Sequence, residues 1–459
     1  MSHFDHPSLP PETTQAERET ARPLGLDLSR RTLMKGLGLT FGGLLLGRAG
    51  AGMAATPAAA ANTQVFAGLN LSGLSLNSYV ENAELGTHYR TPEDKHIVAA
   101  GDCPFFRLPV TAARLTQSQG FPLIERYCKE IEQVLNLLQA RGKKAILELH
   151  DFMRLPTKVA ELRGYTRNAS YQVLDPQGKV VGDLTAQATW GNAYRLNAHL
   201  DYIGHFDSRD GALRLYENRI IGTAGCQLYT LDGLPDLWMR IVKRFRDHPA
   251  ILGWGIMNEP YTGKELNADG SPFDMRAHWL ETANRCAAAI IYQDKQHNLF
   301  ICGNEFASAL MWKQYSMPLF DIPDPYNQIV YEAHNYLDNK GSGGGQWRNR
   351  NEVVDPNQGV LMVQPFIEAL QQYGKRGFLG EHGYPEGNQS AYVATVNLLK
   401  HLQAKHVMNA QWCFGPGFPD DDELGLSKDS NTSTVPVKAN INAVKPFFTV
   451  RLPNLQIPA

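Results

Sequence analysis

Eight short apolar runs, separated by stretches of helical period, constrain this chain more than any other feature. They are Gln64–Asn70, Pro104–Pro109, Lys144–His150, Ile251–Asn258, Asn298–Gly303, Gln328–His334, Gly377–Glu381 and Met408–Phe414. Mostly apolar runs of this length read as strands buried on both faces of a parallel sheet. Between them apolar residues recur at spacings of three and four, as in Leu123, Ile124, Tyr127, Ile131, Val134, Leu135 and Leu138. That is the stripe of an amphipathic helix. Pro235–His248, Met275–Gln293, Met362–Tyr373, Ser390–Lys405 and Lys438–Phe448 read the same way. Strand and helix in alternation imply a parallel sheet, and eight such units predict an α/β chain folded as a (β/α)8 TIM barrel. The competing arrangement is a doubly wound sheet, which is expected to carry a Gly-rich phosphate turn after its first strand. Here the first run continues into Asn70-Leu-Ser-Gly-Leu-Ser.

One connection is out of proportion. After the third run a segment of about 85 residues, about 151–235, precedes the next helix, far longer than an ordinary strand-to-helix loop. It carries a turn signal at Asp175-Pro-Gln-Gly178 and the aromatics Trp190, Tyr194, Tyr202 and Tyr216. Short strands and helices forming one wall of a cleft are expected there.

The N-terminus follows different rules. Residues 1–28 are polar and rich in Pro, Glu and Thr, as a disordered segment is. Ser29-Arg30-Arg31-Thr32-Leu33-Met34-Lys35 then precedes an apolar, Gly-rich run and the small residues of 49–61. Paired arginines, a mildly hydrophobic stretch and small residues, in that order, predict a twin-arginine export signal and a periplasmic or extracellular product. The plain alternative is a basic arm before a short helix. The apolar run is too short for a stable membrane span, so no membrane anchor is expected in the mature form. The expected domains are thus residues 1–62, a disordered segment and signal, and 63–459, a single barrel.

Composition narrows the partners. Hydrophobic residues make up 43% of the 459, ample for a large core. A net charge of −2 argues against nucleic acid and anionic lipid, which need a basic patch. Six cysteines without a CxxC pair make neither a disulfide scaffold nor a structural zinc site, although one or two disulfides remain open in an exported protein. A monomer is expected.

The chemistry lies at the strand ends. The fourth run stops at Asn258-Glu259-Pro260 and the seventh at Glu381. The carboxyl ends of barrel strands are where such folds place their active sites. Arg107 ends the second run, His150-Asp151 the third, His334-Asn335-Tyr336 the sixth, and Trp412 lies on the eighth. Breaking an acetal builds positive charge at the anomeric carbon. One carboxylate can attack that carbon while a second, protonated carboxyl protonates the leaving oxygen. Arg107 would hold Glu381 ionised, and Tyr336 could donate a hydrogen bond to it. Asn258 could grip a sugar hydroxyl, and Trp412 offers a face for a pyranose ring.

These motifs resemble glycoside hydrolase family 5, the cellulase family. Asn258-Glu259-Pro260 is similar to its acid/base motif and Glu381 to its nucleophile. Arg107 in F-R-L-P-V, His150 in L-H-D, His334 and Tyr336 in H-N-Y, and Trp412 match other substrate-site positions. Tyr331 to Gly343 resembles a stretch of the endoglucanase subgroup, as does Gly68-Leu-Asn-Leu-Ser-Gly73. The resemblance covers about residues 64–450 and implies a retaining endo-β-1,4-glucanase acting on a β-linked polysaccharide or oligosaccharide, with no metal and no cofactor. It also implies Glu381 as nucleophile and Glu259 as acid, then base. Three alternatives stay open: the same mechanism on another β-glycan (mannan, mixed-linkage glucan or exopolysaccharide), non-catalytic polysaccharide binding, and a metal-dependent hydrolase.

Several residues have plainer readings. Glu259 and Glu381 could be structural carboxylates. Glu148 shares a strand face with His150 and is expected to be buried and hydrogen-bonded rather than catalytic. Glu305 is expected at a helix N-terminus. His150, His334 and Asp151 could ligate a metal, although no H-x-H or HExxH spacing supports it. Trp190 and Trp347 are equally a sugar platform or packing, Trp254 is core, and Asp420, Asp421 and Asp422 form a solvated run, with calcium binding the lesser alternative.

Overall fold

The computed structural model describes residues 63–76, 89–168, 170, 172–185, 193–195, 201–206, 212–341, 345, 347, 349–428 and 432–453. The expectations for residues 1–62 and for Trp190 lie outside the described residues.

Eight parallel strands close into a barrel: β1 (Ala67–Leu71), β2 (Phe105–Val110), β3 (Lys144–Leu149), β4 (Ile251–Gly255), β5 (Asn298–Cys302), β6 (Ile329–His334), β7 (Gly377–Glu381) and β8 (Met408–Phe414). Each pairs with its chain neighbour, and β8 returns to β1 with Ala410 opposite Gly68. All eight apolar runs therefore supply a barrel strand. Helices pack outside: α1 (Glu125–Ala140), α2 (Gly233–Phe245), α3 (Met275–Gln293), α4 (Gln358–Tyr373) and α5 (Gln389–Ala404). Asp274 and Asn388 cap α3 and α5 by accepting from the backbone N–H three residues on.

Strand period explains how the interior is layered. Phe105, Ile146, Phe300, Val330, Phe378, Met408 and Ala410 form a closed apolar floor inside the barrel. Alternate residues share a strand face, so two positions further on the inward side chains are Arg107, Glu148, Cys302, Glu332 and Trp412. The next inward residues are His150, just after β3, and His334, at the end of β6. The barrel thus turns from apolar to charged toward its carboxyl end. Two glycines make room for the charges. A Cβ at Gly380 would lie 1.9 Å from Glu332 Oε1, and one at Gly255 would lie 2.7 Å from Glu148 Cβ.

Four expectations need correction. The run from Gln64 is two strands, because Thr63–Val65 pairs antiparallel with Arg451–Pro453 and only the residues from Ala67 enter the barrel. Lys438–Phe448 forms two 3-10 helices, Ala439–Ala443 and Lys445–Phe447, rather than one α-helix. Pro446 lacks the N–H that a continuous helix needs there. The cysteines form no disulfide: all six are free and buried.

The insertion is the fourth. Its described residues form strands and no helix, in one seven-stranded antiparallel sheet. The order is Arg154–Leu162, Leu213–Ile220, Asp201–Phe206, Ala193–Arg195, Val180–Thr185, Gln172–Leu174 and Thr166–Arg167. Asp175 closes one hairpin by accepting from the N–H groups of Gln177 and Lys179, at 3.0 and 2.8 Å. Short runs punctuated by such turns leave no length for a helical stripe. Among the described residues, no helix is long and apolar enough to cross a membrane.

Candidate active site

Arg107 occupies the centre of the charged layer and is fully buried. Its Nη1 donates to Glu381 Oε1 at 2.9 Å and to Asn70 Oδ1 at 3.0 Å, and its Nη2 donates to Asn258 Oδ1 at 2.6 Å. Its Nε stands 2.8 Å from Glu332 Oε1, and Glu148 Oε2 lies 3.4 Å from Nη1. Burial alone would favour loss of its proton. Glu148, Glu332 and Glu381 outweigh that, so the guanidinium is held charged.

Glu381 ends β7 with a side chain 6% exposed. Besides Arg107 it accepts a 2.9 Å hydrogen bond from the hydroxyl of Tyr336. Burial opposes its ionisation, but the charges of His334 and Arg107 prevail, and its pKa falls below the ordinary value. Glu259 follows β4 with a side chain 15% exposed. Burial raises its pKa, with a further push from Glu381, and the hydrogen bond from His334 offsets this only in part. His334 Nδ1 lies 2.6 Å from Glu259 Oε1, and His334 Nε2 lies 3.2 Å from Glu332 Oε1. The acidic groups around the imidazole raise its pKa against burial, chief among them Glu381. One donor atom each from Glu259, His334 and Glu381 falls within 4.8 Å of the other two. The two carboxyls therefore face each other across less than two water diameters, with shifts of opposite sign.

The other expected residues converge on the same mouth. His150 Nδ1 sits 3.2 Å from Glu148 Oε2, and His150 Nε2 lies 3.4 Å from Asn258 Nδ2. Its ring stacks on Trp412 at 5.3 Å between centroids and 11° between planes. Trp412 is joined to Cys413 by a cis peptide bond. Asp151 turns away from this group. It accepts from the Thr111 hydroxyl and, at 2.8 Å, from the Ala112 N–H, and among the described residues neither cluster of possible metal ligands includes it. Donor atoms of Cys302, Glu332 and His334 also cluster within 4.8 Å. Arg107 already supplies the cation that Glu332 faces, and burial keeps the Cys302 thiol protonated, its pKa pushed up to about 12.

Glu305 does not start a regular helix. It, Phe306 and Ala307 all have positive φ, which no α-helix contains. Its carboxylate accepts instead from the Thr262 hydroxyl at 2.6 Å and Arg276 Nε at 2.7 Å. Trp347 and Trp254 are both buried and belong to the packing. Sequence reasoning missed Asn70 and Glu332. Asn70 ties β1 to β7 by donating to Gly380 O at 2.9 Å. Glu332 had a legible signal, for Glu332-Ala-His334 repeats Glu148-Leu-His150 at the same place on its strand.

A closed α/β barrel with two facing carboxyls of opposite pKa shift at its carboxyl end defines a class, the barrel-fold glycoside hydrolases. Comparison with known proteins narrows it. The family model described as Cellulase (glycosyl hydrolase family 5) matches residues 59–417, and the chain belongs to that family. Endoglucanase gh5-1 of Neurospora crassa is 32% identical over 125 residues, 27% of this chain and 30% of that protein. Endoglucanase 1 of a Robillarda species is 24% identical over 227 residues, 48% of this chain and 54% of that protein. The chain thus spans between 30% and 54% of the length of these curated relatives. Among solved structures, Pseudomonas stutzeri endoglucanase Cel5A superposes with a TM-score of 0.61 at 25% identity, covering 84% of this chain and 96% of that one. That enzyme has also been solved in complex with cellobiose.

Proposed function

We propose that the protein is a retaining endo-β-1,4-glucanase. The observation that carries this reading is that Glu259 and Glu381 face each other across a gap of at most 4.8 Å between their nearest oxygens, with Glu381 bonded to Arg107 and Tyr336; the opposed directions of their pKa shifts agree with it. Inverting enzymes need about 6.5–9.5 Å between carboxyls to seat a water, whereas retaining ones work at about 5–5.5 Å. Glu381, ionised beside Arg107, attacks the anomeric carbon, and the glycosidic C–O bond breaks as the leaving oxygen takes the Glu259 proton. The Glu259 carboxylate then takes a proton from water, which attacks the anomeric carbon and releases Glu381. Trp412, partly exposed, would meet the sugar, and the names of the relatives support a β-glucan as substrate.

The test is product analysis of the mature protein on carboxymethyl cellulose, mixed-linkage β-glucan, xyloglucan, mannan and xylan, with and without chelator. Rapid viscosity loss on carboxymethyl cellulose with retained anomeric configuration is expected, insensitive to chelator. Activity confined to another polymer would keep the mechanism and move specificity to the insertion. Inverted product, or loss of activity in chelator, would overturn the mechanism.

We also infer export by the twin-arginine route. Arg30-Arg31 in its S-R-R-x-x-x-K setting, ahead of an apolar run and small residues, supports it. Replacing both arginines with lysine should leave the precursor inside the cell. Unchanged export would refute the route.

A further inference from the structure

One residue of the insertion grips the loop that carries Glu259. We propose that Arg154, the first residue of the inserted sheet, is a positioning residue for the acid/base carboxyl. The inference rests on the reading of Glu259 given above.

Glu259 has a φ of 42°, a left-handed conformation that a non-glycine residue holds only when its surroundings impose it. The residues that follow it supply the constraint, and they are clamped from two sides. On one side Arg154 Nη2 donates to the Tyr261 carbonyl at 3.0 Å, and its guanidinium lies 3.8 Å from the centre of the Tyr261 ring. Arg154 is itself fixed by two bonds to Glu265, 2.5 and 3.0 Å long, and by a 3.1 Å bond to the Phe152 carbonyl. It is almost fully buried, between Met153 and Leu155, which anchor the strand in the core. On the other side Phe306 stacks on Tyr261 at 4.3 Å and 13°, and its N–H donates to the Pro260 carbonyl at 3.2 Å. Glu305 holds Thr262.

Tyr261 is therefore sandwiched between Arg154 and Phe306, two residues after the acid. The fit is close. A Cβ at Gly263 would lie 2.0 Å from Glu265 Oε2 and 2.6 Å from Arg154 Nη2. A bidentate, stacked arginine is not replaceable by another cation. Through it the insertion, a sheet added to the barrel, sets the backbone from which the proton donor projects.

The experiment compares two substrates that differ in their need for the acid. An unactivated cello-oligosaccharide needs a proton on its leaving oxygen. 2,4-Dinitrophenyl β-cellobioside does not, and its kcat/KM reports only attack by Glu381. Arg154→Met is expected to lower kcat/KM on cellotetraose by about tenfold or more, the scale on which a misplaced catalytic group is felt, and on the aryl glycoside by less than about twofold. Glu265→Gln should show the same asymmetry more weakly. It leaves Arg154 over Tyr261, so it keeps the test valid if Arg154→Met fails to fold. Equal losses on both substrates, or none, would overturn the inference. Glu259→Ala is the control. If it too lacks the asymmetry, the assignment of Glu259 as acid fails. If it shows the asymmetry and the Arg154 and Glu265 variants do not, only the positioning role fails.

Discussion

Nδ1 of His334 lies 2.6 Å from Oε1 of Glu259, and the same atom lies 3.7 Å from Oε2 of Glu381. One imidazole thus pulls both carboxyl pKa values down, while burial pushes both up. Removing it releases both in the same direction. The acid limb of the rate profile requires Glu381 ionised and the alkaline limb requires Glu259 protonated. In His334→Ala the whole bell should therefore move to higher pH, with kcat/KM at its optimum lower by about a hundredfold, as general-acid contributions run. Initial rates across the stable pH range check this. Movement of one limb alone would contradict a shared role.

Glu381→Ala should lower kcat by roughly four orders of magnitude or more, as loss of a nucleophile does in other enzymes. The cavity left at the end of β7 borders Arg107 and Tyr336, which can hold a small anion. Azide is expected to restore turnover of an activated cellobioside and to give the glycosyl azide of inverted configuration. Rescue with retention, or full activity without azide, would place the nucleophile elsewhere.

Arg107→Met should strand Glu148, Glu332 and Glu381 together without their cation. Breaking a buried charge cluster in this way costs about 3–5 kcal/mol. The pH sign distinguishes this from simple cavity loss. Glu332 and Glu381 have lowered pKa values in the folded protein, so their stabilisation is present above the ordinary carboxylate range and lost as pH falls through it. Without Arg107 the sign reverses, because protonation relieves the repulsion. Urea midpoints at about pH 7 and about pH 3.5, on either side of the ordinary carboxylate range, should fall toward acid in the wild type and rise in the variant. Parallel behaviour of the two would show that the arginine is not the source of the shifts.

What the sequence made legible was local. Each barrel strand is a run of consecutive apolar residues, and Glu259 and Glu381 stand out because an apolar run stops at them. What it hid depends on contacts between distant residues or on backbone shape. Thr63–Val65 pairs with Arg451–Pro453 at the far end of the chain, and no local pattern carries that pairing. The inserted sheet joins Arg154–Leu162 to Leu213–Ile220 across the whole insertion, and only its Asp175–Gly178 turn announced a hairpin. Glu305 reads as a helix start in sequence, and its left-handed backbone leaves no local mark there. Arg154 had no signal at all, since its partners Tyr261 and Glu265 lie about a hundred residues away.

Asp294 offers a test of the frame away from the chemistry. It lies ahead of β5, at the amino end of the barrel, and accepts from Trp254 Nε1 at 2.9 Å, His297 Nδ1 at 2.7 Å and the Gln296 N–H at 2.9 Å. Burial would raise its pKa, but the bonds from His297, Gln296 and Trp254 hold it well below the usual carboxylate range. A carboxyl lowered in this way stabilises the fold above its unfolded pKa, and the contribution is lost as pH falls toward the folded value. Asp294→Ala also leaves the buried Trp254 N–H without its acceptor. The two effects together should cost about 2–3 kcal/mol near neutrality. In urea titrations the gap to the wild type should shrink steadily below about pH 4. Because the catalytic carboxyls lie at the opposite end of the strands, kcat/KM should stay within about twofold of the wild type while the variant remains folded. A constant gap across pH would mean that the carboxylate's charge contributes nothing and that only its packing matters.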